Sequence, residues 1–180
     1  MAQSPDGKWL YPMLEGELIG SEPGLNIYTF NSETGRFINN GAAEPSYRYR
    51  LDDGATAIGD FTLYTESAGL VIERDSKQAG QAVVKKIYRI DLQQLDADGF
   101  LQKTLLVDLL KINDPDDLNR DGETVFRFPF WTIEGLVVVD RTTLAVSNDN
   151  NYPYGPGRKG RGAEPDNTEL ILLEVDPLWE

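Results

Sequence analysis

FPFWTIEGLVVVDRTTLAVSNDNNYPYGPGR, residues 128–158, is the stretch on which the reading of this chain turns. Short runs rich in β-branched and apolar residues fill 132–139 and 143–146, with Asp140-Arg141-Thr142 between them. That is the pattern of two antiparallel strands joined by a tight turn. A carboxylate, Glu134, opens the first strand, and the second runs into Asn148-Asp149-Asn150-Asn151. A hairpin with acid and amide oxygens at its open end is a platform for a hard cation or a polar ligand.

Outward from this hairpin similar runs continue. Segments 9–11, 26–30, 47–51, 57–65, 70–73, 83–92, 103–109 and 169–175 also read as short strands, separated by turn signals such as Pro5-Asp6-Gly7, Glu33-Thr34-Gly35 and Asp52-Asp53-Gly54. The best helix candidate, 92–95, is too short to form one. The expectation is an all-β protein: sandwich, barrel or propeller.

A weak internal repeat favours the propeller. AIGDFTLY (57–64) followed by LVIERD (70–75) parallels WTIEGLVV (131–138) followed by LAVSND (144–149). In both, an acid (Asp60, Glu134) stands early in the first strand and an acid-bearing cluster closes the second. The opening run SPDGKWLYPMLEG matches only the second half of the unit and ends near Glu15. The expected architecture is therefore a partial β-propeller of about three blade-like antiparallel sheets, the first lacking its inner strand. It forms a single all-β domain over 1–180, as a piece of a larger propeller; a self-contained sandwich of the same hairpins is the alternative.

Composition narrows the chemistry. At 180 residues, 40% of them hydrophobic, the chain can build one substantial core. Seventeen Lys and Arg against 30 Asp and Glu give a net charge of −13, which argues against nucleic acid as a partner and suits cation capture. With no histidine and no cysteine, Ser-His-Asp triads, thiol nucleophiles, disulfides and His- or Cys-ligated metals are excluded. Carboxylates, hydroxyls, Lys/Arg and oxygen-bound metals remain. No basic-then-apolar leader precedes Gln3 and no apolar run approaches ~18 residues, so neither export nor a membrane span is expected of this stretch as read. No G-x-S-x-G, P-loop or dinucleotide fingerprint occurs.

The hairpin-end carboxylates Glu15, Asp60, Glu73, Asp75, Glu134 and Asp149 are the leading candidates for function. If the repeat brings them to one end of neighbouring blades, their oxygens suit calcium, which can hold a phosphate and acidify a bound water. Glu134 and Asp149 are expected to be central, as catalytic groups and metal ligands, with Glu15, Asp60 and Glu73 as supporting ligands. Arg74, Arg158 and Asn150 are candidates to hold an anionic substrate, and Arg161 in the following loop is a weaker one. The competing reading is structural: these acids cap hairpins or pair with Arg74, Lys85 and Arg158, and 148–151 satisfies a turn. Separately, Asp117-Leu118-Asn119-Arg120-Asp121-Gly122 has the first half of a calcium loop, with Asp117, Asn119 and Asp121 as ligands. Its twelfth position is Phe128 rather than Glu, so an EF-hand is rejected, while a calcium held between strands or an ordinary Asp-rich turn stays open.

The runs LVIERD with KKIYRIDL, and FPFWTIEGL with VSNDNNYP, resemble the phytase-like family described by esterase-like activity of phytase, over roughly residues 4–175. The ERD, TIEGL and NDNNYP segments are the specific parts. The resemblance implies a β-propeller with acidic strand ends around a central channel. It also implies the C-terminal part of a longer protein, exported to the periplasm or outside the cell. In calcium-dependent phytases of similar architecture, calcium on such carboxylates polarises the phosphate for attack by water. The resemblance thus implies a metal-assisted, calcium-using hydrolase of phosphomonoesters or related esters, acting on a small anionic ester or phosphate. A non-catalytic propeller binding module with structural calcium is the alternative, and a sugar-lactone hydrolase a third reading. Truncation further implies self-association through exposed blade edges, with no nucleic acid and no membrane as partner.

Overall fold

The computed structural model describes residues 1–20, 22–39, 44–152, 158 and 167–180. Its strands, in chain order, are β1 (Ala2–Gln3), β2 (Trp9–Tyr11), β3 (Leu25–Ile27), β4 (Phe30–Asn31), β5 (Arg36–Phe37), β6 (Tyr47–Tyr49), β7 (Ala57–Leu63) and β8 (Ala68–Arg74). They continue with β9 (Lys85–Leu95), β10 (Leu101–Asp108), β11 (Ile112–Asn113), β12 (Val125–Phe126), β13 (Thr132–Asp140), β14 (Thr143–Asp149) and β15 (Leu170–Glu174). Ala79–Gln81 forms a 3-10 turn. No helix among the described residues is long and apolar enough to cross a membrane.

The all-β reading holds, as several antiparallel sheets. The order is β1-β2-β4-β5 in the first, β10-β9-β8-β7 in the second and β13-β14-β15 in the third, with β3-β6 and β11-β12 as two-stranded ribbons. The 26–30 segment, read as one strand, divides into β3 and β4, which join different sheets. The 92–95 segment simply extends β9. The opening unit, expected to lack its first strand, has a two-residue one: Ala2 pairs with Tyr11 across β1 and β2. Two residues carry too little periodicity to be recognised in sequence.

Packing follows from the alternation of side chains across a strand. Every residue of β8 from Gly69 to Arg74 is buried, because its sheet is covered on both faces. Val71, with Phe61 and Ile90, packs toward Tyr11 and Ile27. Leu70 and Ile72, with Ile87, pack the other way onto Ile133, Leu136 and Val146 of the third sheet. At roughly 1.5–3 kcal/mol for each fully buried large side chain, these two layers are the main favourable term holding the sheets in order. Turns behave as their residues require: Gly54 closes Asp52-Asp53-Gly54 at φ +86°, a conformation costly to residues with a Cβ.

Candidate functional site

Where the edge strands β7 and β13 meet, both are bulged. The β7–β8 register slips between Ile58 and Phe61, leaving Gly59 and Asp60 in the slip, and the β13–β14 register slips between Ile133 and Gly135, leaving Glu134 unpaired. A bulge re-aims the side chain it carries. The two acids aligned by the sequence repeat thus occupy the same kind of irregularity. A Cβ at Gly135 would stand 2.2 Å from Ser147 Oγ, a contact that rotation of the serine hydroxyl can relieve.

Glu134 is exposed as a residue, yet its carboxyl is pushed above the ordinary glutamate value. Partial loss of water is the main cause; Asp149, Glu15 and Asp60 add negative charge, while Arg74 opposes the shift. These five residues therefore share one electrostatic environment. Arg74, at the end of β8, is 6% exposed and donates from Nη2 to Glu15 Oε1 at 2.5 Å, while its buried Nε has no hydrogen-bond partner. Asp149, the last residue of β14, accepts the Asn151 N–H on Oδ1 at 2.9 Å, and its carbonyl accepts the Thr132 hydroxyl at 3.0 Å.

Other expected residues lie elsewhere or are engaged. Glu73 neighbours Arg74 in β8, so it points to the opposite face. There it is wholly buried, accepts from Tyr49 Oη at 2.6 Å and the Asp52 N–H at 2.9 Å, and pairs with Lys103. Asp52 completes that network with Lys86 at 2.9 Å, Lys103 at 2.8 Å and the Tyr88 hydroxyl. Although partial burial works against ionisation, those three donors hold the Asp52 carboxyl well below the ordinary aspartate range. Asp75 is 1% exposed and forms a buried pair with Lys85 at 2.8 Å, its oxygens also taking the Lys77, Val83 and Val84 N–H groups. Burial alone would raise its pKa, but the Lys85 ammonium and the backbone donors outweigh this and lower it.

Asn150 Oδ1 accepts the Tyr152 N–H at 3.0 Å, which is turn chemistry. Arg158 pairs with Glu169, donates to the Arg127 carbonyl at 3.2 Å and lies over the Phe126 ring, 4.8 Å from its centroid. Arg161 and residues 153–157 of the rim loop lie outside the described residues. In the loop from β11 to β12, Asp117 accepts the Asp121 and Gly122 N–H groups, Asn119 Oδ1 also accepts the Asp121 N–H, and Asp121 accepts from Asn119 Nδ2 and the Glu123 N–H. Among the described residues, no three or more acidic side chains are gathered so as to hold a metal ion. The oxygen donors are of the type calcium uses, but they are not assembled into a centre.

What the sequence reading missed is Gly59 and the Asp52–Glu73–Lys103 network. Gly59 stood inside the quoted repeat, and a glycine within a strand pattern is itself a signal of a bulge or a close backbone approach.

The described residues thus form an all-β stack of antiparallel sheets in which Glu15 pairs with the buried Arg74 and Glu134, Asp149 and Asp60 lie within electrostatic reach of one another. The chain belongs to the phytase-like family described as esterase-like activity of phytase, whose model matches residues 1–152. The match takes in all five of those residues. No curated protein and no solved structure matches the chain.

Proposed function

We propose that this chain carries a phytase-like ester hydrolase site at the meeting of β7 and β13, with the three main sheets as successive blades of a propeller. The observation that carries the reading is Glu134, a carboxyl of raised pKa beside a buried guanidinium whose Nε has no partner. A carboxyl shifted upward holds a proton more readily than an ordinary glutamate and is suited to pass it to or from a water or a leaving group. Arg74 would direct Nε at the oxygen that gains negative charge as the ester is attacked. Asp149 and Glu15 set the charge around the pair, and Asn150 and Arg158 are proposed to border the substrate.

Four carboxylates against one arginine would repel a phosphate unless a cation compensated, which supports calcium as a further component. Among the described residues its ligands are not gathered beforehand. When bound, calcium would neutralise substrate charge and polarise the ester. Release of p-nitrophenol from an aryl phosphate and from an aryl acetate, each with calcium and with chelator, tests the reading. Turnover abolished by Glu134→Gln is expected; a wild-type protein inactive on both esters in all conditions removes it. The D-x-N-x-D-G spacing of Asp117, Asn119 and Asp121 supports a second reading, a non-catalytic binding module with structural calcium. That reading gives a calcium-dependent melting temperature without turnover.

A further inference from the structure

We infer that Asp60 is a positioning residue: it fixes the bulge that presents Glu134. This rests on the acid–base reading of Glu134 for its catalytic consequence, but not for its structural one. Edge strands β7 and β13 do not join by a ladder. Instead Asp60 Oδ2 accepts the Leu136 N–H at 2.9 Å, while Oδ1 accepts the Phe61 N–H at 2.7 Å. Both carboxylate oxygens therefore already hold a backbone donor. Beside it Gly59 has no side chain because none fits: a Cβ there would come within 1.8 Å of the Ile133 carbonyl oxygen.

A third hold acts upstream. Lys85 Nζ, itself buried against Asp75, donates to the Trp131 carbonyl at 3.2 Å. Segment 131–136 is thus gripped from the second sheet at the Trp131 carbonyl, at the Ile133 carbonyl by close packing, and at the Leu136 N–H. Glu134 lies between the last two. An edge N–H facing no strand needs an acceptor, and a charged one gives a stronger bond than a neutral one. Asp60 meets that need and pins the bulge in one form, which sets where the Glu134 carboxyl sits relative to Arg74.

The discriminating pair is Asp60→Ala, which removes both acceptors, and Asp60→Asn, which keeps a carbonyl oxygen for Leu136. Hydrogen exchange of the Leu136 amide reads position without any turnover. Losing a bond to a charged acceptor should speed it by about tenfold or more in Asp60→Ala, with Asp60→Asn within about threefold of the parent. The β9 amides should stay protected in both. In the same variants, aryl-ester kcat should fall in Asp60→Ala and largely persist in Asp60→Asn, with KM little changed in either. Equal loss in both variants would assign Asp60 a charge or ligand role and overturn the inference, as would unchanged Leu136 exchange in Asp60→Ala. Should Asp60→Ala not fold, Asp60→Asn decides alone: near-parental exchange supports positioning and loss of protection refutes it. A parent without turnover would sink the hydrolase reading, while Leu136 exchange still decides this one.

Discussion

At Glu134 chemistry and stability pull in opposite directions. A carboxyl whose folded pKa lies above its ordinary 4.5 binds more protons in the folded chain than in the unfolded one at pH values between the two. Stability contributed by this group is therefore present below about pH 4.5 and is lost as pH rises through the folded value. Glu134→Gln keeps the shape and removes the titration. The expected outcome is a variant that melts no lower than the parent near neutral pH, with the parent's advantage confined to more acidic solution. Melting curves collected from about pH 4 to about pH 8 check this, and a variant that loses stability most at the alkaline end would contradict it. Glu134 was legible as a candidate from its place in the repeat. The company it keeps was not: neighbours Glu73 and Arg74 are two letters of one strand, and only one of them reaches the cluster.

At the scale of elements, the Asp75–Lys85 pair ties the end of β8 to the start of β9, and Lys85 also reaches the Trp131 carbonyl ahead of β13. The pair's side chains are 2% and 0% exposed. Breaking a buried pair from one side leaves the other charge without its partner, and the loss is about 3–5 kcal/mol. Lys85→Met should therefore lower unfolding free energy by about that amount and also free the Trp131 carbonyl, as denaturant titration would register. A loss below about 1 kcal/mol would mean the pair contributes little, as exposed pairs do. The strands themselves were readable because their period is two and their turns are marked by Gly, Asp and Asn. Of the two-residue strands, β1, β5, β11 and β12 were not and β4 was read only as part of 26–30, since a pair of residues has no period. The pairing of ERD's last acid with Lys85 was weighed in sequence only as the structural alternative, and for Asp75 that alternative is what the fold adopts.

For the whole molecule, the third sheet has one covered face and one bare one. Leu136, Leu144, Val146 and Leu173 pack inward, whereas Val137, Val139, Leu170 and Leu172 are between 56% and 67% exposed. An open apolar sheet face at the end of a stack favours association with another sheet. The chain is expected to self-associate in proportion to concentration, and Val137→Lys with Leu172→Lys, which face each other across Ala145, to restore the monomer. Sedimentation velocity over a roughly hundredfold dilution measures this; a parent that stays monomeric throughout would count against it.

Residue order alone determined the strand class, the places of the main turns, the exclusion of histidine and cysteine chemistry, and the alignment of Asp60 with Glu134, because each depends on local periodicity or on which side chains exist. Tertiary structure decided which acids share a site. Strand alternation sends Glu73 and Arg74 to opposite faces, the two bulges set Asp60 against the Leu136 N–H beside Glu134, and the missing Cβ of Gly59 lets one sheet approach another, all of which depend on register between segments far apart in the chain.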